Sequence, residues 1–350
     1  MYVQEHEKYM RRCLELAQLG AGKVSPNPMV GAVIVHHGKI IGEGYHQRYG
    51  GAHAEVNAIQ DVQEKFPDAD EIFKNSVMYV SLEPCAHFGK TPPCSDLIIR
   101  HQIPKVVIGC RDPFEQVDGR GIEKMRNAGI EVIEDILNEE GARINRRFFT
   151  RVRLQRPYLI LKWAETADGF FAPETDEQKW ITSQESKVLS HRWRSEEDAI
   201  LVGKRTALID NPELNVREWD GRNPLRIVLD RDLELPSSLH LFDQSQDTIV
   251  FNTKKTQIDG RIKFLEIEDW NILPQLIAYQ LYLMDIQSVI IEGGAKTIQL
   301  FINAGLWDEA RVFKAAVKWG KGLKSPVLEP APDEEHVSGA DKLFITYNKP

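Results

Sequence analysis

Residues 42–55 read GEGYHQRYGGAHAE and residues 83–94 read EPCAHFGKTPPC. One imidazole, His53, and two thiols, Cys85 and Cys94, give a nitrogen and sulfur donor set suited to zinc. Three protein ligands leave a fourth coordination position for water, as in catalytic sites. Glu55 follows His53 by two residues and is expected to move protons to and from that water. The opposing reading is a closed, folding-only site with His87 as fourth ligand. A closed site has no use for the Glu55 carboxylate, so His87 is expected in the pocket or its loop instead.

A His-x-Glu followed by Pro-Cys and a further Cys is the signature of the zinc-dependent nucleobase deaminases. Two residues usually separate the cysteines; here eight do. Around this set the chain alternates between helical and strand periods. Met10, Cys13, Leu14 and Ala17 recur at helical spacing and predict an opening helix ended by Gly20 and Gly22. Strands are predicted over 30–35 and 39–42 about a His36-His37-Gly38 turn, then over 77–82, 105–109 and 130–133. Helices are predicted from His53 to 62, from Cys94, over 122–128 and over 139–149. Cys85 then falls at a strand end, where open α/β sheets place ligands. Cys94 falls at a helix start, where a lowered thiol pKa is expected. Pro26-Asn27-Pro28 is either a stiff loop that holds the Asn27 amide toward a base or a simple turn. The alternation predicts one α/β domain over 1–150.

Three stretches together, SPNPMVGAVIV (25–35), the GxGYHxxxGxxHAE pattern at 42–55 and EPCAHFGKTPPC, resemble the deaminase half of the bifunctional RibD family of riboflavin biosynthesis. The long spacer between the cysteines belongs to that resemblance, which covers essentially all of 1–150. It implies a cytidine-deaminase-like three-layer α/β/α domain with one zinc ion on His53, Cys85 and Cys94. It also implies that Asn27 and His46 line the substrate pocket. The implied substrate is 2,5-diamino-6-ribosylamino-4(3H)-pyrimidinone 5′-phosphate, which loses its 2-amino group as ammonia. Lys90, in the spacer, is either a phosphate contact or a solvated loop lysine.

Composition sets the outer bounds. A chain of 350 residues has room for two domains, and 42% hydrophobic with 27% charged residues is ordinary for a globular protein. A net charge of −8 without a dense basic run argues against nucleic acid as partner. Four cysteines do not suggest a disulfide framework, and Cys13 and Cys110 are expected as small buried apolar residues. The charged opening MYVQEHEKYMRRCLELAQ is not a signal peptide, and no apolar run approaches membrane-spanning length. A cytoplasmic protein, with no membrane partner, is expected.

Past a basic junction at 143–157, apolar strands are predicted at 158–164, 199–203, 225–229, 248–251, 262–267 and 288–291. Helices are predicted from a Thr182 or Ser183 cap to Arg194, over 273–283 and after 294. Glu292-Gly293-Gly294 joins a strand to a helix and is either a phosphate-cradling turn or merely a tight one. No GxGxxG pattern supports a Rossmann fold.

LKWAETADG, KWITS, ILVGKRTALIDNPELNVR, RIVLDR and VIIEGG resemble the reductase half of the same family. A dihydrofolate-reductase-like α/β domain over 151–350 is thereby implied, with NADPH reducing the ribosylamino sugar to a ribitylamino chain. The resemblance places Glu165, Trp180, Thr206, Asp210, Arg231, Gly294, Ala295, Lys296 and Thr297 at NADPH. Gln178, Arg194, Leu214, Arg217 and Glu292 go to the phosphorylated sugar, and guanidinium forks suit a phosphate. Lys162 and Asp210 are the candidates to steady or protonate the opened sugar. Gln178 and Arg231 stand where Ser is common, and Lys204-Arg205 is unusually basic. Arg231 or Lys204 either favours the 2′-phosphate of NADPH or marks altered cofactor handling. The expectation is a bifunctional deaminase and reductase acting on a small pyrimidine ribotide, with homodimer or homotetramer assembly. The alternative is a deaminase whose second domain has lost reduction. Residues 306–350 either finish the sheet or meet a partner chain.

Overall fold

Over residues 2–86, 92–175 and 180–349, which the computed structural model describes, the chain divides into two units, 1–155 and 156–350. The described residues of the first unit form α1 (Tyr2–Gln18), β1 (Gly31–His36), β2 (Lys39–Tyr45), α2 (Ala54–Lys65), α3 (Ala69–Phe73) and β3 (Ser76–Leu82). They continue as α4 (Cys94–Arg100), β4 (Lys105–Cys110), α5 (Arg120–Asn127), β5 (Glu131–Ile133), α6 (Asn138–Ile144) and α7 (Arg146–Leu154). The sheet runs β2-β1-β3-β4-β5, with β1 antiparallel to both neighbours and β3, β4 and β5 parallel.

The continuous apolar run of β1 is explained by cover on both faces. Ala32 and Ile34 pack with Ala58, Ile98 and Met125 of α2, α4 and α5, whereas Val33 and Val35 pack with Tyr9, Cys13 and Leu16 of α1. This is the three-layer arrangement that the sequence predicts. A side chain at Gly44 would meet Ala58 N at 2.3 Å and Ala54 O at 2.4 Å, so glycine lets β2 lie directly on α2. That contact seats the helix start bearing His53 and Glu55. The single helix predicted over 139–149 is divided at Asn145. Its Oδ1 accepts the Met29 N–H at 2.8 Å and its Nδ2 donates to the Met29 carbonyl at 2.9 Å, binding the helix break to the entry of β1.

The second unit contains β6 (Tyr158–Glu165), β7 (Phe170–Ala172), α8 (Gln184–Glu196), β8 (Ala199–Gly203), α9 (Lys204–Asp210), β9 (Leu225–Leu229), β10 (Thr248–Asn252) and β11 (Gln257–Asp259). It continues with β12 (Ile262–Glu266), α10 (Leu273–Leu283), β13 (Ser288–Ile291), α11 (Ala295–Asn303), β14 (Glu309–Lys314), β15 (Leu323–Lys324), β16 (Glu334–Ser338) and β17 (Asp341–Tyr347). The main sheet is ordered β11-β12-β10-β9-β8-β13-β6-β14-β17-β16. Strands β12 through β14 in that order are parallel, and β11, β17 and β16 are antiparallel additions.

Leu159 and Leu161 of β6 pack with Ile277, Leu281, Ile298 and Phe301 of α10 and α11, and Tyr158 and Ile160 face Trp193 of α8. Ser183 caps α8 by accepting the Ser186 N–H, so the second of the two expected caps is the one used. Residues 306–350 finish the sheet: β14 pairs with β6, and β17 and β16 extend it. Arg226, within the RIVLDR stretch, is a structural residue. It is fully buried and bonds Thr248, Asp243 and the carbonyls of His240 and Gln246.

Candidate active sites

His53 caps α2 in extended backbone, Cys85 follows the end of β3 and Cys94 opens α4. Their ligand atoms lie within 4.8 Å of one another. His53 Nδ1 is 3.7 Å from Cys85 Sγ and 3.3 Å from Cys94 Sγ. Tetrahedral zinc with ordinary bond lengths sets such N···S separations at about 3.6 Å, so the donor set fits that ion. Among the described residues no fourth His, Cys, Asp or Glu joins the group. His87 and Lys90 lie outside the described residues.

Cys85, beside the Cys94 thiol and His53, is pulled down to about 4, and His53, hydrogen-bonded to Cys85, is raised to about 9. Cys94 is pushed up by Cys85 and by burial. Cys13 and Cys110 are buried as expected, and burial raises both thiols.

Glu55, 3% exposed, is pushed up to about 7 by burial, against the opposing pull of His53 and of the Cys94 thiol. A carboxyl that titrates near neutrality is what a proton carrier needs. Asn27 and His46 stand together nearby. His46 Nδ1 donates to the Ala52 carbonyl at 2.9 Å, which leaves Nε2 to accept from the Asn27 amide at 3.0 Å. Burial lowers the His46 pKa and keeps the ring neutral, and the ring meets His53 edge-on at 5.5 Å. The sequence reading passed over Glu83. Its carboxyl accepts the N–H groups of Gly119 at 2.9 Å, Gly121 at 3.0 Å and Ile122 at 3.3 Å, binding the start of α5 beside Pro84-Cys85. Only the fold reveals this, because its partners lie 36 to 39 residues away.

In the second unit the polar cluster gathers at the carboxyl ends of β6 and β13. Glu292 takes the Arg194 fork at 3.2 and 2.7 Å, and Lys162 Nζ stands 4.0 Å from it. Burial alone would raise Glu292; Arg194 and Lys162 outweigh it and hold the carboxyl at about 2. Burial, with Arg194, lowers the Lys162 pKa. Arg194 also donates to the Asn215 carbonyl at 3.3 Å, tying in the loop that holds Leu214 and Arg217. Leu214 is 2% exposed and has a positive φ of 53°.

A second gathering lies where β8 and β13 turn into α9 and α11. A side chain at Gly293 would meet Val202 Cα at 2.4 Å and Gly203 N at 2.5 Å, and one at Gly294 would approach Thr206 and Thr297. The absence of Cβ atoms therefore lets the two helix starts converge, with Ala295 buried and Lys296 exposed at the head of α11.

Other expected residues stand apart. Asp210 ends α9, has its carboxyl raised by burial, and makes no hydrogen bond or ion pair with Lys162 or Glu292 among the described residues. Glu165 is engaged by Trp163 at 3.4 Å and Lys314 at 3.7 Å. Trp180 is 68% exposed, and Arg231 is exposed at the end of β9. Lys204 pairs with Glu234 at the surface. Gln178 lies outside the described residues. His191, which the sequence reading treated only as a large side chain of α8, is buried in the Arg194 cluster.

Comparison with known proteins assigns both units. The model of the cytidine and deoxycytidylate deaminase zinc-binding region matches residues 3–110, and that of the RibD C-terminal domain matches 157–337. Riboflavin biosynthesis protein RibD of Aquifex aeolicus is 41% identical over 329 residues, covering 92% of this chain and 90% of that one. The chain belongs to the RibD family. The RibD of Escherichia coli K12 is 35% identical, with 94% of each chain covered. A Thermotoga maritima crystal structure is that of a diaminohydroxyphosphoribosylaminopyrimidine deaminase/5-amino-6-(5-phosphoribosylamino)uracil reductase. It matches this fold with a TM-score of 0.91 at 37% identity, covering 99% of each chain. This RibD-family chain is a bifunctional enzyme of riboflavin biosynthesis, with a zinc-binding deaminase domain and an NADPH-using reductase domain. Among the described residues no helix is long and apolar enough to cross a membrane.

Proposed function

We propose that residues 1–155 deaminate 2,5-diamino-6-ribosylamino-4(3H)-pyrimidinone 5′-phosphate and that residues 156–350 reduce the sugar of the product. The observation that carries the first half is a buried Glu55, two residues after His53, beside a three-donor metal set. Zinc on His53, Cys85 and Cys94 supplies Lewis acidity that makes water nucleophilic near neutral pH. Water adds to the carbon bearing the 2-amino group, and Glu55 takes one of its protons. Glu55 passes that proton to the ring nitrogen; the other water proton goes to the amine. The C–N bond then breaks, a carbonyl forms and ammonia leaves. Asn27 and His46, locked in one tautomer, would hold the base.

For the reductase we propose that Arg194, Arg217, Glu292 and Gln178 hold the phosphorylated sugar, with Leu214 shaping the wall. Thr206, Gly294, Ala295, Lys296 and Thr297 would seat NADPH, and Glu165, Trp180, Asp210 and Arg231 would border it. NADPH supplies the hydride to the first sugar carbon. Lys162 is the preferred source of the accompanying proton, because it stands in the Glu292–Arg194 cluster with a pKa lowered by burial. Free cysteines and NADPH use support a cytoplasmic setting, and the net charge of −8 supports small-molecule partners over nucleic acid. Assembly as a dimer or tetramer is proposed and is read by light scattering.

The test supplies the diamino ribotide with NADPH to the purified chain and follows ammonia release and NADPH absorbance together. Ammonia first, then NADPH consumption, is expected, with both lost on chelation because reduction awaits the deaminated product. Ammonia without NADPH loss would remove the reductase half, and neither signal from the zinc-loaded chain would overturn the substrate.

A further inference from the structure

His191 lies on α8, three residues before Arg194, and is 2% exposed. Its Nδ1 faces the backbone N–H of Arg217 at 3.3 Å. An amide nitrogen only donates, so Nδ1 is the bare nitrogen and the ring hydrogen sits on Nε2. Burial, followed by the guanidiniums of Arg194 and Arg217, lowers the ring to about 4, with Glu292 and Glu218 opposing. The ring is therefore a neutral Nε2–H donor at working pH. That donor has no hydrogen-bond partner among the described residues. Nε2 is not among the buried side-chain atoms that lack a partner, so this edge of the ring is open and can be offered to an arriving acceptor. Arg194 and Arg217 are near enough for their charge to lower the ring's pKa, and an anionic oxygen is the acceptor that such charge attracts to this edge.

We infer that His191 is a further substrate-binding residue of the reductase, donating Nε2–H to a phosphate oxygen of the ribotide while Nδ1 fixes the main chain at Arg217. The inference rests on the proposed assignment of Arg194 and Arg217 to that phosphate. The guanidiniums contribute charge, and the imidazole contributes direction, because its position is set by a backbone contact instead of a long flexible stem.

Two variants of the full chain separate the ring's two nitrogens. In His191→Asn the amide oxygen can still accept the Arg217 N–H, but no donor remains at Nε2. In His191→Gln the amide nitrogen reaches the Nε2 position and the Nδ1 acceptor is lost. NADPH oxidation is measured with 5-amino-6-(5-phosphoribosylamino)uracil and with its dephosphorylated counterpart. For His191→Asn the KM of the phosphorylated substrate should rise about tenfold, as expected for one hydrogen bond to a charged group. The KM of the dephosphorylated one should move less than about twofold, and His191→Gln should recover most of the loss.

Equal losses on both substrates would reduce His191 to a structural role and overturn the inference, as would an unchanged KM. A wild-type enzyme indifferent to the phosphate would instead overturn the phosphate site itself. A measurement that needs no variant is the His191 Nε2 proton resonance of the wild-type chain during titration with inorganic phosphate. It should shift downfield and saturate; a resonance that stays in place overturns the contact.

Discussion

Glu55 and Glu292 are carboxylates of similar seclusion at two strand–helix junctions, yet they hold opposite protonation behaviour. Glu55 meets burial that outweighs the pull of His53 and the Cys94 thiol, and rises to about 7. Glu292 meets burial with the Arg194 fork and Lys162 and falls to about 2. The first can pick up and release a proton at working pH, whereas the second is a permanent anion that fixes two cations. Residue type and burial are shared, so the difference comes from what the fold places within a few ångströms. One carboxylate is placed to move protons and the other to hold neighbouring cations in position.

The largest expected effect breaks the comparison on the deaminase side. Glu55→Gln keeps the shape and removes the proton carrier, so ammonia release should fall by about 10³-fold. Metal analysis should still find one zinc per chain. Retained ammonia release in a zinc-loaded variant would show that Glu55 is not the carrier.

A smaller effect sharpens the contrast through pH. Glu292 has a folded pKa below its unfolded value, so the stability it contributes is present above about pH 4.5. That contribution, on the order of 3 kcal/mol, is lost as pH falls from there toward 2. Acid unfolding monitored by tryptophan fluorescence should show this loss, and Glu292→Gln should flatten the dependence in that window. An unchanged acid profile would mean that Arg194 and Lys162 do not hold the charge as the geometry implies. The smallest effect is expected at Lys204. Its partner Glu234 already engages the charge, and both side chains are partly exposed. Lys204→Ala should change the KM for NADPH by less than about twofold; a tenfold rise would restore Lys204 as a 2′-phosphate contact.

The two sites were legible to different degrees for a physical reason. His53, Glu55, Cys85 and Cys94 are confined to two short stretches, and metal ligation tolerates few residue types, so their chemistry is visible in spacing. The reductase cluster draws Lys162 from β6, Arg194 from α8 and Glu292 from the end of β13. Each is an ordinary charged residue in isolation, and only family resemblance drew attention to them. His191 had no local signal at all, because its meaning depends on a backbone amide 26 positions away. Glu83 was missed for the same reason, although it lies two residues before a zinc ligand.

Local order was read more securely. Helix α10 and the strands β8, β9 and β13 were predicted at their observed limits, since their apolar patterns are bounded by clear breaks. The break of the 139–149 helix was not, because Asn145 is held by Met29 across the chain. The sequence by itself determined the donor set and the alternation of strands and helices, properties of residue type and near neighbours, and it carried the reductase half only as a family resemblance. Tertiary structure alone decided which carboxylate burial raises and which its cations hold as an anion, and that residues 306–350 close the second sheet. Those outcomes depend on distances between residues far apart in the chain, where burial and neighbouring charge set the energies.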